Sequence, residues 1–316
     1  MITHGNKQIS EIVYARKASE GGGSVRLTNI IRGAQVLFGD LYPALWWLTG
    51  ATNTAILAAF GQTDGKAVIK ATKAYLNALA ATDSNKATAI VGFINEDPML
   101  VCSLGLQPQG VQMPIRKLIP NSGSYIKTTV NARTDELSFD CIADLRGMTG
   151  YPATLFGVIN SYTAGSGMYG FINHRVGGNA FRYGAHNSNY VASGVANNTD
   201  NVHLEGIVTD KAIELKLNGV SKGTASKGTP DNTEIFIFGA NCRSQNGYYG
   251  GNQSRLGHLR LYTPSGDVGW FVPFIRSGVM ECLDIVTRNI ATRVGTFTES
   301  YTLPDGTPWT PLNQTL

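Results

Sequence analysis

The sequence predicts a mainly β protein, a β-sandwich preceded by a small mixed α/β region, and three observations carry that expectation. Apolar residues make up 42% of the 316 positions and charged residues only 15%, which suits a packed core and excludes a solvated disordered chain. Glycine fills 37 positions, as expected of a chain with many tight turns. From residue 124 onward, short apolar or alternating runs recur at fairly regular intervals. The length also exceeds the roughly 100–200 residues usual for one domain, so more than one is expected.

Residues 1–33 hold two β-like runs, 8–15 and 24–31, around Glu20-Gly21-Gly22-Gly23-Ser24, whose glycines make a hinge or wide turn. A segment this small has no core of its own. It is read as an attachment segment leaning on another domain or another copy of the chain, with a trimer expected.

Residues 34–110 read as a small mixed α/β domain. Leu45-Trp46-Trp47-Leu48 is assigned to core or a subunit interface rather than a membrane contact, because no basic amphipathic helix accompanies it. Asp64 is placed to cap a helix over 64–79, with Val68, Ala71, Tyr75, Ala78 and Leu79 at helical spacing and Lys66, Lys70 and Lys73 on the other face. Residues 89–94 and 99–102 read as short buried strands. Proline and glycine over 107–123 favour extended chain, and 111–123 is placed as a linker.

The remainder, 124–316, reads as the sandwich. Strands are expected at 125–131, 137–145, 155–159, 168–172, 180–183, 202–208, 213–217, 235–238, 256–262 and 269–275. Asn218-Gly219 between alternating runs predicts a hairpin with a type I′ turn, since both central positions need the positive φ that Asn and Gly tolerate best.

The formal charge of +4 falls entirely before residue 124 and forms no basic stripe, so nucleic acid is not an expected partner. The first 25 residues lack the apolar core of a secretory signal, and no stretch reaches the ~18 apolar residues a bilayer span needs, so no membrane insertion is expected. Cys102, Cys141, Cys242 and Cys282 are widely spaced and read as buried reduced thiols.

Several stretches together resemble the concanavalin A/laminin-G-like jelly-roll modules of phage and prophage particle proteins. They include Ser124-Tyr125-Ile126-Lys127-Thr128, Leu155-Phe156-Gly157-Val158, Phe181-Arg182-Tyr183-Gly184, His203-Leu204-Glu205-Gly206-Ile207, the Leu217-Asn218-Gly219-Val220 hairpin and Leu256-Gly257-His258-Leu259-Arg260-Leu261-Tyr262. The resemblance continues through Trp270-Phe271-Val272-Pro273-Phe274 and Asp284-Ile285-Val286-Thr287 to Gly295-Thr296-Phe297. Near the N-terminus, Ile9-Ser10-Glu11-Ile12-Val13-Tyr14-Ala15-Arg16-Lys17 and Gly33-Ala34-Gln35-Val36-Leu37-Phe38-Gly39 are similar to attachment segments of particle proteins in phages of gut anaerobes, the crAss-like group among them. The resemblance implies a structural component of a virion, in a tail or head appendage, made in the host bacterial cytoplasm and joined to itself and other virion proteins through its N-terminal region. A receptor-recognition protein that binds host-surface glycan is the alternative, and a jelly-roll glycosidase or depolymerase a weaker one.

No enzyme activity, cofactor or metal is expected. Glycosidases on this fold carry Glu-x-Asp-x-x-Glu along one strand, and that spacing does not occur. The nearest acidic sets, Glu205 with Asp210 and Glu281 with Asp284, do not share a strand face. His4, His174, His186, His203 and His258 show no i, i+3 or i, i+4 pairing, and the Gly-x-Ser-x-Gly spacing at Gly219-Val220-Ser221-Lys222-Gly223 follows the hairpin turn rather than forming a strand-to-helix elbow. The remaining candidates are polar, aromatic segments suited to a shallow contact surface: Asn160, Tyr162 and Tyr169; Arg182, Tyr183 and Tyr190; and Arg243, Asn246, Tyr248 and Tyr249.

Overall fold

The computed structural model describes residues 3, 4, 7, 8, 80–85, 308, 309 and 115–302, the last without 133–135, 146–152, 161–167, 174–180, 188–189, 193, 195–200, 230–232, 244–246, 252–253 and 277. The expected helix over 64–79, the strands at 89–94 and 99–102, the Trp46-Trp47 cluster and nearly all of the attachment segment lie outside the described residues. Among the described residues, no helix is long and apolar enough to cross a membrane.

In chain order the strands are β1 (Thr3–His4), β2 (Lys7–Gln8), β3 (Ile115–Pro120), β4 (Tyr125–Asn131), β5 (Ser138–Asp144), β6 (Ala153–Ile159), β7 (Met168–Asn173) and β8 (Arg182–Asn187). There follow β9 (Val191–Ala192), β10 (Val202–Val208), β11 (Ala212–Leu217), β12 (Val220–Ser226), β13 (Glu234–Ile237), β14 (Ala240–Cys242), β15 (Gly247–Tyr249) and β16 (Arg255–Thr263). The last are β17 (Gly266–Arg276), β18 (Val279–Asp284), β19 (Asn289–Ile290), β20 (Thr292–Val294), β21 (Phe297–Thr302) and β22 (Pro308–Trp309).

The chain divides into two compact units. One comprises Met1–Arg116, Phe274–Val279 and Tyr301–Leu316. In it β1 pairs antiparallel with β2, Tyr301 and Thr302 pair with Trp309 and Pro308, and the Arg116 guanidinium lies 5.8 Å from the Tyr301 ring centroid. The other comprises Lys117–Pro273 and Met280–Ser300 and is the sandwich.

Each of the ten strands expected from residue 125 to 275 is present, shifted at its ends by a few residues. The larger sheet runs β12-β11-β10-β5-β16-β17-β18-β19, with β3 also against β16, and the smaller runs β20-β4-β13-β6-β7-β8-β9. Where the sequence suggested a linker at 111–123, Ile115–Pro120 instead forms β3, and Leu118 pairs with Leu256. Its Ile115, Arg116, Lys117, Leu118 and Pro120 are buried, so a segment between prolines that mixes apolar residues with two cations joins the sheet rather than spanning open solvent. Strand β12, the second arm of the hairpin predicted at Asn218-Gly219, is an edge strand exposed along nearly its whole length, so the turn rather than apolar alternation marks it.

The core lies between the sheets. Phe139 on β5 meets Phe156 on β6 and Tyr183 on β8 edge-on, at ring distances of 4.9 and 5.0 Å, and Leu204, Cys141 and Leu259 are buried beside it. Burying one such aromatic fully contributes about 1.5–3 kcal/mol. Gly206, opposite Phe139 in the β5–β10 ladder, leaves that space free: a Cβ there would collide with the Phe139 ring and reach the Tyr183 ring at 2.8 Å. Asn218 and Gly219 have φ of 49° and 77° and join β11 to β12, the turn their dipeptide predicts.

Candidate functional site

Strand β10 alternates strictly. Val202, Leu204, Gly206 and Val208 face the core, while His203, Glu205 and Ile207 face outward. On β5 the outward positions include Asp140 and Ile142, and the ladder sets Glu205 opposite Asp140 and His203 opposite Ile142. On the other side of β5, β16 sets Arg260 opposite Asp140 and His258 opposite Ile142. The register of β16 slips between Leu256 and His258, so Gly257 is one residue too many for the ladder. Without that bulge His258 would fall opposite inward-facing Cys141. With it, His258 and Arg260 share the outward face.

Asp140 is the hub of this face. Its Oδ2 accepts from His203 Nε2 at 2.9 Å and its Oδ1 from His258 Nε2 at 2.7 Å, diagonal contacts that tie three strands together. Partial burial alone would raise the Asp140 carboxyl, but the two imidazole hydrogen bonds and the histidine charges outweigh it and hold the group well below the usual carboxylate range. The hydrogen bond to Asp140 raises His203 against the opposing effect of burial, with the charges of Asp140 and Glu205 adding to the rise.

The site is anchored from its surroundings. Asn218, in the I′ turn, accepts from the His203 backbone N–H at 2.9 Å and donates its own N–H to the His203 carbonyl at 2.8 Å. Arg260 Nε donates to Asp267 at 2.6 Å, and the guanidinium lies 5.2 Å from the Tyr262 ring centroid and 5.6 Å from that of Trp270. Trp270 stands edge-on to His258, and its backbone N–H donates to Asp284, which also accepts from Val286 N–H and the Thr287 hydroxyl. Asp284 is therefore a buried turn-forming carboxylate, not part of an acid pair with Glu281.

The residues suggested by sequence fall elsewhere. Asn160 and Arg243 are exposed. Tyr162, Asn246 and the Tyr249 side chain lie outside the described residues. Tyr169 and Tyr183 are corrected to core: both are fully buried because their strand parity turns them between the sheets, and Tyr169 donates to the Leu137 carbonyl at 2.8 Å. Tyr248 is half-buried, stacks on Tyr125 at 4.5 Å and donates to the Phe238 carbonyl, and burial followed by the neighbouring Tyr125 pushes its phenol up to about 12. Arg182 and the exposed Tyr190 form a stacked pair, the guanidinium 4.0 Å from the ring centroid. That pair lies at the β8–β9 end of the smaller sheet, separated from β13 by β6 and β7.

Sequence reasoning missed Asp140, His203, Glu205, His258, Arg260, Tyr262 and Trp270 as one group. A partial signal was present: Asp140, His203 and Glu205 occupy the non-core parity of strongly alternating strands. The broken parity of Leu256, Leu259 and Leu261 around Gly257 also marks a bulge.

No family model matches the chain, and no curated protein matches it. Among solved structures it is similar to a heptameric SAP-like pentraxin from Limulus polyphemus, at 12% identity and a TM-score of 0.35 over 46% of this chain and 75% of that one. It is also similar to a carbohydrate-binding protein from Bacteroides ovatus, at 13% identity and a TM-score of 0.44 over 59% of this chain and 60% of that one. The mouse laminin α1 domains LG4-5 align at 16% identity and a TM-score of 0.31 over 48% of this chain and 41% of that one. The chain thus spans less than two thirds of the length of the latter two.

Proposed function

We propose that the chain is a non-catalytic glycan-binding protein whose binding face is the outward side of the β10-β5-β16-β17 sheet. The observation that carries this reading is the Asp140 hub, a carboxylate fixed by His203 and His258 beside the aromatic-backed guanidinium of Arg260. Sugar hydroxyls need acceptors and donors held in place, and sugar rings need a flat apolar edge; Asp140, His203, Arg260 and Tyr262 offer both on rigid strands. A glycosidase needs one carboxyl kept protonated near neutral pH as its acid, and the environment of Asp140 pushes Asp140 away from that role. The deciding experiment is a glycan array with the full chain, the Arg260→Ala variant and a parallel measurement of polysaccharide chain length. Binding lost in the variant, with chain length unchanged by the wild type, supports the reading. Shortened polysaccharide overturns its non-catalytic part.

The finer reading is that this face is displayed on a virion appendage, with the N-terminal segment joining copies to one another and to the particle. It rests on the resemblance of residues 9–17 and 33–39 to particle attachment segments. Co-sedimentation of the protein with particles through a density gradient is the expected result, and recovery only in the soluble fraction counts against it.

A further inference from the structure

We propose that Asp140, His203 and Glu205 form a binding site for one divalent transition-metal ion, zinc above calcium or magnesium, on the outward face of the larger sheet. The placement comes from backbone register rather than from loops. Glu205 is directly opposite Asp140, and His203 is two residues earlier on the same strand face. One ligand atom from each residue lies within 4.8 Å of the others. Zinc bonds of about 2.0–2.2 Å to nitrogen and oxygen set donors about 3.3–3.5 Å apart, so small rotations of side chains on a fixed backbone close the site.

The donor set selects the ion. One imidazole with two carboxylates suits zinc or a neighbouring transition metal, whereas calcium and magnesium prefer all-oxygen shells with more ligands. Two negative groups face His203, and Glu205 makes no hydrogen bond or ion pair among the described residues. His258 supplies the supporting contact: it donates to Asp140 Oδ1, which leaves Oδ2 directed at His203. The Trp270 ring stands nearly perpendicular to the His258 ring, with centroids 6.5 Å apart. On binding, the ion replaces the proton shared by His203 Nε2 and Asp140 Oδ2, and that proton leaves to solvent. Three protein donors on an open sheet face leave the fourth position for water or for a hydroxyl of a bound molecule.

The site shares its face with the proposed glycan site but does not depend on it, because metal is measured with no glycan present. Calorimetric titration of the full chain with zinc chloride, after treatment with chelator, is expected to show one equivalent bound. Glu205→Gln and His203→Gln are expected to weaken it at least tenfold, and His258→Gln to weaken it less than either. Cobalt(II) is expected to give the visible absorption of a nitrogen- and oxygen-ligated tetrahedral ion, lost in Glu205→Gln. Circular dichroism of each variant establishes that it is folded, and should His203→Gln unfold, Glu205→Gln and the cobalt spectrum decide. Zinc binding that survives the His203→Gln, Glu205→Gln double variant, or no binding by the wild type, overturns the proposal and leaves the cluster a hydrogen-bonded clamp. Glycan binding unchanged by chelator alongside absent zinc binding sinks the metal site alone.

Discussion

Strands β10 and β6 lie in opposite sheets and differ in one respect that organises the molecule. On β10 every second residue is buried, whereas all seven residues of β6 are buried, so β10 has one open face and β6 has none. Chemistry follows the open face: Asp140, His203, Glu205 and Arg260 gather where alternation leaves one side of the sheet free. The tyrosines suggested by composition follow inward parity instead, and Tyr169 and Tyr183 fill core between β7, β8 and β5. An aromatic-rich segment is thus a packing signal where strand parity turns its rings inward, and a binding signal only where that parity points them outward.

The largest expected effect tests the core that joins the two sheets. Phe139→Ala removes the ring that meets both Phe156 and Tyr183 and leaves a cavity, at a cost of about 3–5 kcal/mol measured by urea unfolding. Gly206→Ala approaches the same spot from the other side by overfilling it, and is expected to cost about 1–3 kcal/mol. If Gly206→Ala is neutral, the close approach of Phe139 to β10 is not a constraint.

A subtler comparison lies between the two buried tyrosines. Tyr169→Phe strands the Leu137 carbonyl and is expected to cost about 1–2 kcal/mol. The buried Tyr183 hydroxyl has no hydrogen-bond partner among the described residues, so Tyr183→Phe is expected to be neutral or stabilising in the same unfolding experiment. Equal losses from both substitutions would show that the Tyr183 hydroxyl has a partner in solution.

The open face is expected to carry its own pH dependence in metal-free protein. His203 holds its proton more tightly folded than unfolded, so its contribution is full below the ordinary histidine value of about 6.5 and fades as pH rises through the folded value. Asp140 is depressed, so its contribution is present above about pH 4 and is lost as pH falls toward its folded value. The clamp is therefore strongest between about pH 4 and 6.5. Since the His203 side chain is 40% exposed, solvent screening limits the change above that window to about 1 kcal/mol or less. Melting temperatures of wild type and Asp140→Asn should converge between pH 6.5 and 8.5, and a constant gap would remove His203 from the account.

How much of this was legible in the sequence follows from the range of the signals involved. Strand positions were readable because period-two alternation is local, and the Asn218-Gly219 turn because positive φ restricts the residues that fit. The site was not, since it depends on which strands neighbour one another. Asp140, His203 and His258 are separated by 63 and 118 positions, and only the β10-β5-β16 order brings them together. Spacing rules built for helices, i, i+3 and i, i+4, pass over ligands contributed singly by adjacent strands. Glu205 was weighed against Asp210, its neighbour in sequence, when its cross-strand neighbour is Asp140.

The smallest expected effect sharpens the contrast between open face and loop. Tyr190 is the one exposed aromatic among the described residues that the composition-based reading suggested and the structure leaves accessible, covered on one side by the Arg182 guanidinium. An exposed cation–π pair contributes about 0.5–1 kcal/mol, so Tyr190→Ala is expected to move unfolding by no more than that. Its effect on glycan binding is the informative readout. If the binding face is the β10-β5-β16-β17 sheet, Tyr190→Ala binds as the wild type does while Arg260→Ala loses binding, because the two residues belong to different sheets. Should Tyr190→Ala lose binding at unchanged stability while Arg260→Ala retains it, recognition belongs to the β8–β9 end of the smaller sheet, and the Asp140 hub is left holding strands together rather than ligand.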